Sequence, residues 1–496
     1  MYQKISSFTA LALGALFPLG FAPLAYELVA PLSLGALFFL WSNANPRQAA
    51  FLGLWFGIGA FGVGVSWVFI SLHNYGNMPY FLAVIVVGLF IFLLSLYITA
   101  CGYCQALFVN VSRVTRMLMV MPVLWVLAEW LRGWVLGGFP WLYLGYSQVD
   151  TIFASLAPIS GVFFVSLVTG VLGSAAILIL VGTFREKVWS LCAVAIFFGF
   201  TLVAERLVFV QPHGGLMSVS VIQNNVALSD KWNVGEAQNI AAKYLNTSAA
   251  ETRADLIVWP ESALPFYFDE LPTLVLRQLI EHPADYLFGI LERQTGDVGH
   301  YYNSAVAVSK ELTFYRKKHL VMFGEYLPFP FLFDWLLSYL DIPQSDFSSW
   351  PAPQLPLELA GEKVGVTICY EAAFQNQIRA SLPMATVLAN ISEDSWFGNS
   401  LAPWQRLQMA RFRAQESGRP LIRASNNGLS AIIDHNGNLI NVAPIFEQHV
   451  LRGELQPTEG STPFVQYGNS ILLLIIALLL IIALAIGRFD KFRMRN

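Results

Sequence analysis

Three side chains that could form a thiol-dependent catalytic site lie at the ends of apolar, strand-like stretches. Glu261 follows the stretch LIVWP, and Cys369 follows VGVTI. Between them the stretch FYRKKHL carries two adjacent lysines, Lys317 and Lys318. A thiol needs a neighbouring base or cation to become a thiolate near neutral pH. A carboxylate can take the proton, and an ammonium can stabilise both the thiolate and an oxyanion. The pattern predicts nucleophilic catalysis at a carbonyl group.

Cys369 is the best-supported member of this set. The other three cysteines, Cys101, Cys104 and Cys192, lie in strongly apolar stretches, so Cys369 is alone in the polar part of the chain. A lone cysteine is often a buried, inert residue, and its neighbours decide between the two interpretations. The C-x-x-C spacing of Cys101 and Cys104 resembles a redox motif, but its apolar surroundings favour membrane packing.

The other two members are less certain from spacing alone. Glu261 could be an ordinary acid in the first turn of a helix, although Pro260 stops the preceding strand and fixes its position. Because side chains alternate along a strand, only one of Lys317 and Lys318 faces inward, and spacing does not choose between them. His319 and His435 lie in no context typical of a cysteine protease, and no cluster has the spacing of a metal site.

The elements that must position these residues form an α/β domain between residues 213 and 462. Alternating strands and helices over this region indicate a layered domain of ordinary size. The strands are predicted at Met217–Gln223, Asp255–Trp259, Tyr286–Leu291, Ser304–Val308, Lys363–Cys369, Ala385–Ile391 and, as two strands, Pro420–Asp434. The helices are predicted at Val234–Ala250, Leu271–Glu281 and Trp404–Ser417.

The remainder of the chain is typical of a membrane protein. Of its 496 residues, 56% are hydrophobic and 12% charged, whereas soluble domains carry about a quarter charged residues. The net charge of −3 gives no indication of a nucleic-acid partner. We predict seven spans in residues 1–210 and an eighth in residues 463–496. They are Ser7–Leu24, Leu28–Trp41, Phe51–Ile70, Tyr80–Val109, Met117–Leu136, Ile152–Val181, Val188–Val208 and Ile471–Gly487.

Basic residues in the short loops predict the orientation of these spans, because such residues collect on the cytoplasmic side. With seven crossings before it, the α/β domain is predicted outside the cytoplasm, which in a bacterium is the periplasmic face. Arg132 is the exception, and we interpret Glu129 and Arg132 as a local ion pair. The residues on the cytoplasmic side are Lys4, Arg47, Arg113, Arg116, Arg185, Lys187 and the tail from Arg488 to Arg495.

The order Glu, Lys, Cys, with the motifs PE at 260–261, YxKxHL at 315–320 and CYE at 369–371, resembles the nitrilase, or carbon–nitrogen hydrolase, superfamily. The resemblance selects Lys317 over Lys318. It implies an α-β-β-α sandwich with Glu261, Lys317 and Cys369 as the catalytic residues.

With its membrane spans, the chain resembles the bacterial apolipoprotein N-acyltransferases over nearly its whole length. The motifs that carry this resemblance are GFPWL at 138–142, GYSQ at 145–148, VWPES at 258–262, FGEY at 323–326, SWFG at 395–398 and SNNG at 425–428. The resemblance implies transfer of a fatty acyl group from a phospholipid, through a thioester, to the N-terminal S-diacylglyceryl cysteine of an apolipoprotein. We expect a monomeric enzyme of the bacterial inner membrane that uses no cofactor or metal.

The same resemblance assigns supporting roles to four further residues. Glu325 and Glu371 are expected to support the catalytic residues, and Trp232 and Tyr370 to place the substrate. Without the resemblance, Trp232 would be taken as simple core packing.

Three positions depart from the expected pattern, namely Met322, Glu393 and Arg406. Met322 replaces a proline, Glu393 replaces an asparagine, and Arg406 stands where histidine is common. These departures leave the loop shape and the substrate preference open.

The apolar stretch Phe329–Leu340 is too short to span a bilayer. Its aromatic residues suit either a lid that dips into the membrane interface or a buried helix.

Two other functions remain open. A membrane-bound amidase would use water as the acceptor. A transporter with a degenerate domain would not need Cys369, and the few intramembrane charges do not favour it.

Overall fold

The computed structural model describes residues 2–293, 301–326 and 347–493. The chain divides into two compact units. The first consists of Met1–Phe69, Pro79–Leu207 and Gln466–Asn496, and the second of Ile70–Met78 and Val208–Val465. The apolar stretch Phe329–Leu340, expected to be either a lid or a buried helix, lies outside the described residues.

The first unit is helical, as the long apolar stretches predict. Asn45 caps one helix by accepting a hydrogen bond from the Gln48 main-chain N–H, and Thr183 caps another together with Glu186. The longer helices of this unit are Tyr2–Leu16, Val29–Ser42, Pro46–Gly64, Tyr80–Gln105, Met121–Arg132, Ala157–Val181, Phe184–Ala204 and Ser470–Arg493. The short helical turns are Phe17–Gly20, Val68–Ile70, Arg113–Thr115, Arg116–Val120, Val135–Gly137, Leu144–Gln148 and Ile152–Leu156. One further turn, Ser71–Tyr75, lies within the second unit.

Each predicted span overlaps an apolar helix, but the predicted count of eight is not confirmed. Within the described residues, five helices are long and apolar enough to cross a membrane. They are Tyr80–Gln105, Arg113–Arg132, Ile152–Val181, Phe184–Ala204 and Ser470–Arg488. A sixth crossing is counted if Pro46–Gly64 and Val68–Tyr75, bent by 58°, form one span. Ser6–Gly20 and Val29–Ser42 are apolar but shorter.

Three of the loops that carry basic residues are tied together by hydrogen bonds. The Arg113 guanidinium forms an ion pair with Glu186, with an N–O distance of 2.6 Å. The Arg116 guanidinium donates to the Gln105 side chain at 2.8 Å and to the Trp41 carbonyl at 3.4 Å. These contacts place the ends of four helices at the same edge of the first unit.

Glu129 and Arg132 do not form the local ion pair that we predicted. Both are buried. The Glu129 carboxylate accepts hydrogen bonds from the Trp125 indole at 2.8 Å and from the Leu144 main-chain N–H at 2.7 Å. The Arg132 guanidinium donates to the Trp141 carbonyl. Both hydrogen bonds to Glu129 reach Oε1, whereas the buried Oε2 has no hydrogen-bond partner. Both residues line one small cavity of the first unit.

The second unit contains two six-stranded sheets, with strands numbered in chain order. They are β1 Val210–Pro212, β2 Met217–Gln223, β3 Leu256–Val258, β4 Asp285–Arg293, β5 Tyr301–Val308, β6 Leu312–Arg316, β7 Leu357–Leu359, β8 Glu362–Ile368, β9 Val387–Ser392, β10 Leu421–Ser425, β11 Ala431–Ile433, β12 Leu439–Val442, β13 His449–Leu455 and β14 Thr458–Gly460. One sheet has the order β13-β2-β3-β4-β5-β6 and the other β12-β11-β10-β9-β8-β7. Strands β2, β3 and β4 are parallel, as are β8, β9 and β10. Strands β1 and β14 pair separately.

The two sheets pack face to face, and helices cover their outer faces. Alternate residues of β2 and β8, such as Val219 and Val366, belong to one buried cluster that contains side chains of both sheets. A second cluster joins the first sheet to the helices Ala237–Ser248 and Thr273–Glu281. A third joins the other sheet to the helix Ala402–Ser417. The result is the α-β-β-α sandwich that the resemblance implied. The shorter helices of this unit are Leu228–Lys231, Val234–Glu236, Phe268–Glu270, Cys369–Ala373, Gln375–Arg379, Ser395–Phe397 and Pro463–Tyr467.

Replacing Ile422 by alanine should destabilise the sandwich, because Ile422 lies on β10 with none of its surface exposed. Comparable buried Ile-to-Ala changes cost about 2–5 kcal/mol. Ile440 on the edge strand β12 is 40% exposed, so I440A serves as a matched control with little effect. Thermal unfolding of the full-length chain in detergent would measure both. Equal midpoints for the two variants would contradict the assignment of the core.

Candidate active site

Glu261 is held at the carboxyl end of β3 by the residues on either side of it. Trp259 is fully buried, and its indole N–H donates to the Ser248 hydroxyl at 2.9 Å. Strand β3 ends at Val258, Pro260 follows, and Glu261 itself is only 6% exposed. Its Oε2 accepts a hydrogen bond from the Glu393 main-chain N–H at 2.9 Å. The carboxylate therefore has a fixed position and a fixed direction.

The turn that carries Glu261 lies directly against β4 at Gly289. The Gly289 main-chain N–H donates to the Pro260 carbonyl at 3.1 Å, and the Ala263 N–H donates to the Gly289 carbonyl at 2.9 Å. A Cβ atom at position 289 would lie 2.6 Å from the Glu261 Cα. Only glycine allows this approach without displacing Glu261.

Lys317 follows β6 and points into the sandwich, whereas Lys318 is partly exposed. The Lys317 ammonium is 3.6 Å from Glu261 Oε1 and 2.7 Å from Glu325 Oε1. Burial alone would lower the pKa of Lys317, but the carboxylates of Glu325 and Glu261 raise it above its ordinary value. The side chain is therefore a charged ammonium, 1% exposed.

Asn303, a buried residue of β5, joins the two carboxylates that surround this ammonium. Its side-chain amide donates to Glu261 Oε1 at 2.7 Å and to Glu325 Oε1 at 3.1 Å. The main-chain carbonyl of Asn303 accepts the Lys317 main-chain N–H at 2.9 Å. The other oxygen of Glu325 accepts the Val321 N–H at 2.8 Å. Asn303 therefore fixes the lysine backbone and both carboxylates at once.

Cys369 lies where β8 turns into the short helix Cys369–Ala373. Its φ of +54° is unusual for a residue other than glycine. The Asn390 amide donates to the Cys369 carbonyl at 3.3 Å, and the Arg406 guanidinium lies 3.5 Å from the sulfur. Removal of water and the charge of Glu261 raise the pKa of Cys369, while Arg406 and Lys317 oppose that rise.

Glu371 connects the cysteine strand to the lysine strand. One carboxylate oxygen accepts the main-chain N–H groups of Lys318 and His319, at 2.7 and 3.0 Å. The other accepts the Ile368 N–H at 2.8 Å and the Tyr315 hydroxyl at 3.0 Å. Burial raises the pKa of Glu371, and the main-chain donors oppose that rise. Glu371 therefore sets the spacing between the two strand ends.

The two predicted substrate-placing residues lie on the segments that carry this site. Tyr370 directly follows Cys369, and its ring centroid lies 4.8 Å from that of Phe374. Trp232 is partly buried. It directly follows Lys231, whose ammonium donates to the Glu261 carbonyl at 3.0 Å.

The site offers a thiol, a carboxylate and an ammonium, which suits nucleophilic attack on a carbonyl group. In the described part of the chain, no group of three or more His, Cys, Asp or Glu side chains is arranged to hold a metal ion.

Both halves of the chain match models of known protein families. A family model described as the apolipoprotein N-acyltransferase N-terminal domain matches residues 13–176, and a carbon–nitrogen hydrolase model matches residues 218–463. A relative from Methylococcus capsulatus named apolipoprotein N-acyltransferase is 38% identical over 464 residues, which cover 93% of this chain and 92% of the relative. The chain belongs to the apolipoprotein N-acyltransferase family.

Two further proteins of the same name are also similar to this chain over nearly its whole length. The protein from Nitrosomonas europaea is 37% identical over 482 residues, which cover 95% of each chain. The protein from Photobacterium profundum is 36% identical and covers 93% of this chain and 91% of its own length.

Several polar residues around this candidate site were missed in the sequence. Asn303, Asn390 and Arg423 are all buried, and each interrupts an otherwise apolar strand. That interruption was the available signal, because a buried polar side chain needs a partner. Lys231 gave no comparable signal, since it lies on a short turn, yet it forms a buried ion pair with Glu393.

Replacing Glu261 by glutamine should make Cys369 more reactive toward iodoacetamide. The Glu261 charge raises the pKa of the thiol, so its removal increases the thiolate fraction below that pKa. The alkylation rate at neutral pH should rise by about tenfold, as expected when one nearby charge is removed. Mass spectrometry of the Cys369 peptide across a pH series measures this rate. An unchanged or slower rate would contradict the electrostatic role of Glu261.

Replacing Glu371 by glutamine should destabilise the second unit and reduce catalysis. The amide NH2 cannot accept, so two of the four hydrogen bonds to this side chain are lost and their donors remain buried. Each unsatisfied buried group costs about 1–3 kcal/mol. E311Q, at an exposed turn, is the control with an unchanged thermal midpoint. If E371Q matched the unaltered chain in midpoint and activity, Glu371 would not set the strand spacing.

Proposed function

We propose that this chain transfers a fatty acyl group from a phospholipid to the N-terminal amine of S-diacylglyceryl-cysteine apolipoproteins, the last step of lipoprotein maturation. The observation that carries this proposal is the convergence of Glu261, Lys317 and Cys369 in one buried site of a chain from this family. The membrane helices support a lipid as the acyl donor, since they hold the enzyme in the bilayer that contains it.

In the first step, Glu261 takes the proton of the Cys369 thiol and the sulfur attacks the ester carbonyl of the phospholipid. The C–S bond forms and the electrons of the carbonyl move onto its oxygen, where the Lys317 ammonium stabilises the charge. When this intermediate collapses, the C–O bond breaks and Glu261 returns the proton to the departing alcohol. A lysophospholipid leaves, and the acyl group remains on Cys369 as a thioester.

In the second step, the amine of the apolipoprotein cysteine attacks the thioester carbonyl. The C–N bond forms, the C–S bond breaks, and the electron pair of that bond goes to the sulfur. Glu261 accepts the proton that the nitrogen loses and passes it to the thiolate, which restores the thiol. The reaction is a two-step transfer through a covalent intermediate. Glu325 and Glu371 hold the catalytic groups in place, and Trp232 and Tyr370 contact the substrate.

We further propose three parts for the chain: a membrane domain at residues 1–210, a catalytic domain at 213–462 and a final span with a basic tail at 463–496. The enzyme would act as a monomer in the bacterial inner membrane, with the catalytic domain in the periplasm. Support comes from the contacts of Arg113 and Arg116, which hold basic loops at one edge of the helical unit, as expected for a cytoplasmic face.

Incubation of the purified full-length chain with phospholipid should add the mass of one acyl chain to Cys369. Hydroxylamine should release it, since it cleaves thioesters. C369A should carry no adduct and transfer no acyl group. C192A removes an exposed cysteine from the helix Phe184–Ala204 and should behave like the unaltered chain. Acyl transfer retained by C369A would overturn the mechanism.

The acceptor distinguishes the transferase from an amidase. With a diacylglyceryl-cysteine peptide present, loss of the adduct should coincide with formation of an N-acyl peptide. Release of free fatty acid alone, with no acylated peptide, would favour hydrolysis and contradict the proposed acceptor.

A further inference from the structure

A buried cation other than Lys317 contacts the sulfur of Cys369. The Arg406 Nη2 atom lies 3.5 Å from Sγ, and the Arg406 residue is only 5% exposed. Arg406 projects from the helix Ala402–Ser417, which covers the β8 sheet, whereas Lys317 follows β6 of the other sheet. The two cations therefore come to the thiol from different layers of the sandwich.

The guanidinium of Arg406 is held by the carboxylate of Asp394, which is itself fixed by other contacts. Asp394, 1% exposed, forms an ion pair with Arg406 through one carboxylate oxygen. Its other oxygen accepts a hydrogen bond from Arg423 at 2.8 Å. The Ser392 hydroxyl donates to Asp394 at 3.0 Å. A Cβ atom at Gly428 would lie 2.2 Å from the carboxylate, so the surrounding loop encloses it closely.

The charges that face the sulfur are balanced only if Arg406 is included. The carboxylates of Glu261 and Glu325 disfavour a thiolate, and the cations of Lys317 and Arg406 favour it. Without Arg406, two negative charges would face one positive charge. Asp394 adds no net negative charge to this balance, because Arg423 on its far side pairs with it. Arg406 thus supplies the positive charge that Lys317 alone cannot.

We propose that Arg406 is a catalytic residue whose guanidinium stabilises the negative charge on the Cys369 sulfur. It acts when the thiol loses its proton to Glu261. On the proposed function, it acts again in the second step, when the C–S bond of the tetrahedral intermediate breaks and the electron pair goes to the sulfur. A stabilised thiolate is both easier to form and a better leaving group.

An arginine suits this role better than the histidine expected from the resemblance. A guanidinium stays charged throughout the pH range in which a thiol titrates. An imidazole has an ordinary pKa near 6.5, and although Asp394 beside it would raise that pKa, it would lose its charge within the same range. The replacement therefore makes the positive charge beside Cys369 independent of pH.

The test is the rate of Cys369 alkylation by iodoacetamide across a pH series, followed by mass spectrometry of the Cys369 peptide in the full-length chain. R406Q should lower the rate at neutral pH by about tenfold or more, as expected from loss of one opposite charge next to the sulfur. R411Q removes a cation from the same helix that donates instead to the Gly437 carbonyl, and its profile should match the unaltered chain. An unchanged R406Q profile would overturn the proposal.

A second variant keeps the test decisive if R406Q does not fold. R406H places the expected residue at this position, and its alkylation rate above about pH 9, where an imidazole has lost its proton even with Asp394 beside it, should fall below that of the unaltered chain. A rate equal to that of the unaltered chain would overturn the proposal. Thermal midpoints check folding, and in both variants Asp394 retains Arg423 as a partner.

The acyl-adduct measurement separates this inference from the proposed function. If R406Q lowers alkylation while the unaltered chain forms no acyl adduct, Arg406 activates the thiol but the proposed function fails. If the adduct forms and R406Q alkylates normally, the function stands and the role of Arg406 fails.

Discussion

The site depends on burying the ammonium group of Lys317. A charge that is 1% exposed must be paired and hydrogen-bonded, because desolvating an unpaired ion costs several kcal/mol or more. Glu325 and Glu261 supply the pairing, and Asn303 holds both carboxylates with one amide. This arrangement makes Lys317 a fixed point charge and sets where Glu261 must lie.

The surrounding fold can be understood as the scaffold for that charge. Strands β3 and β6 run in the same direction, because β3 is parallel to β4 and both β4–β5 and β5–β6 are antiparallel, so Glu261 and Lys317 lie at one edge of the first sheet. The facing sheet presents Cys369 at the end of β8. Close contacts then fix the details: Gly289 lets the Glu261 turn approach β4, and Glu371 ties the end of β8 to the residues after Lys317. Arg406 completes the balance of charge around the sulfur. Apolar side chains of both sheets form the buried cluster between them and keep water away.

The sequence allowed much of this to be predicted, and the reasons for the failures are physical. Strand positions such as Met217–Gln223 were predicted from alternating apolar residues. Cys369 was identified because it is the one cysteine in the polar part of the chain. Spacing could not separate Lys317 from Lys318, because alternation gives no sign of which face is inward. The contacts of Asn303 with Glu261 and of Arg406 with the Cys369 sulfur are between residues distant in the chain. No local sequence pattern reveals such contacts. The span count was uncertain because two apolar helices are short and one is bent.

The most direct test of the central claim is a stability comparison of three full-length variants, K317M, E325Q and K317M/E325Q. Removing the ammonium alone leaves Glu325 and Glu261 buried without their cation, so K317M should have the lowest thermal midpoint. Neutralising Glu325 as well relieves part of that cost, so the double variant should be more stable than K317M. If the decrease in thermal midpoint of the double variant equals the sum of the decreases in K317M and E325Q, the pairing of the buried ammonium with Glu325 does not stabilise the site, and the account is contradicted.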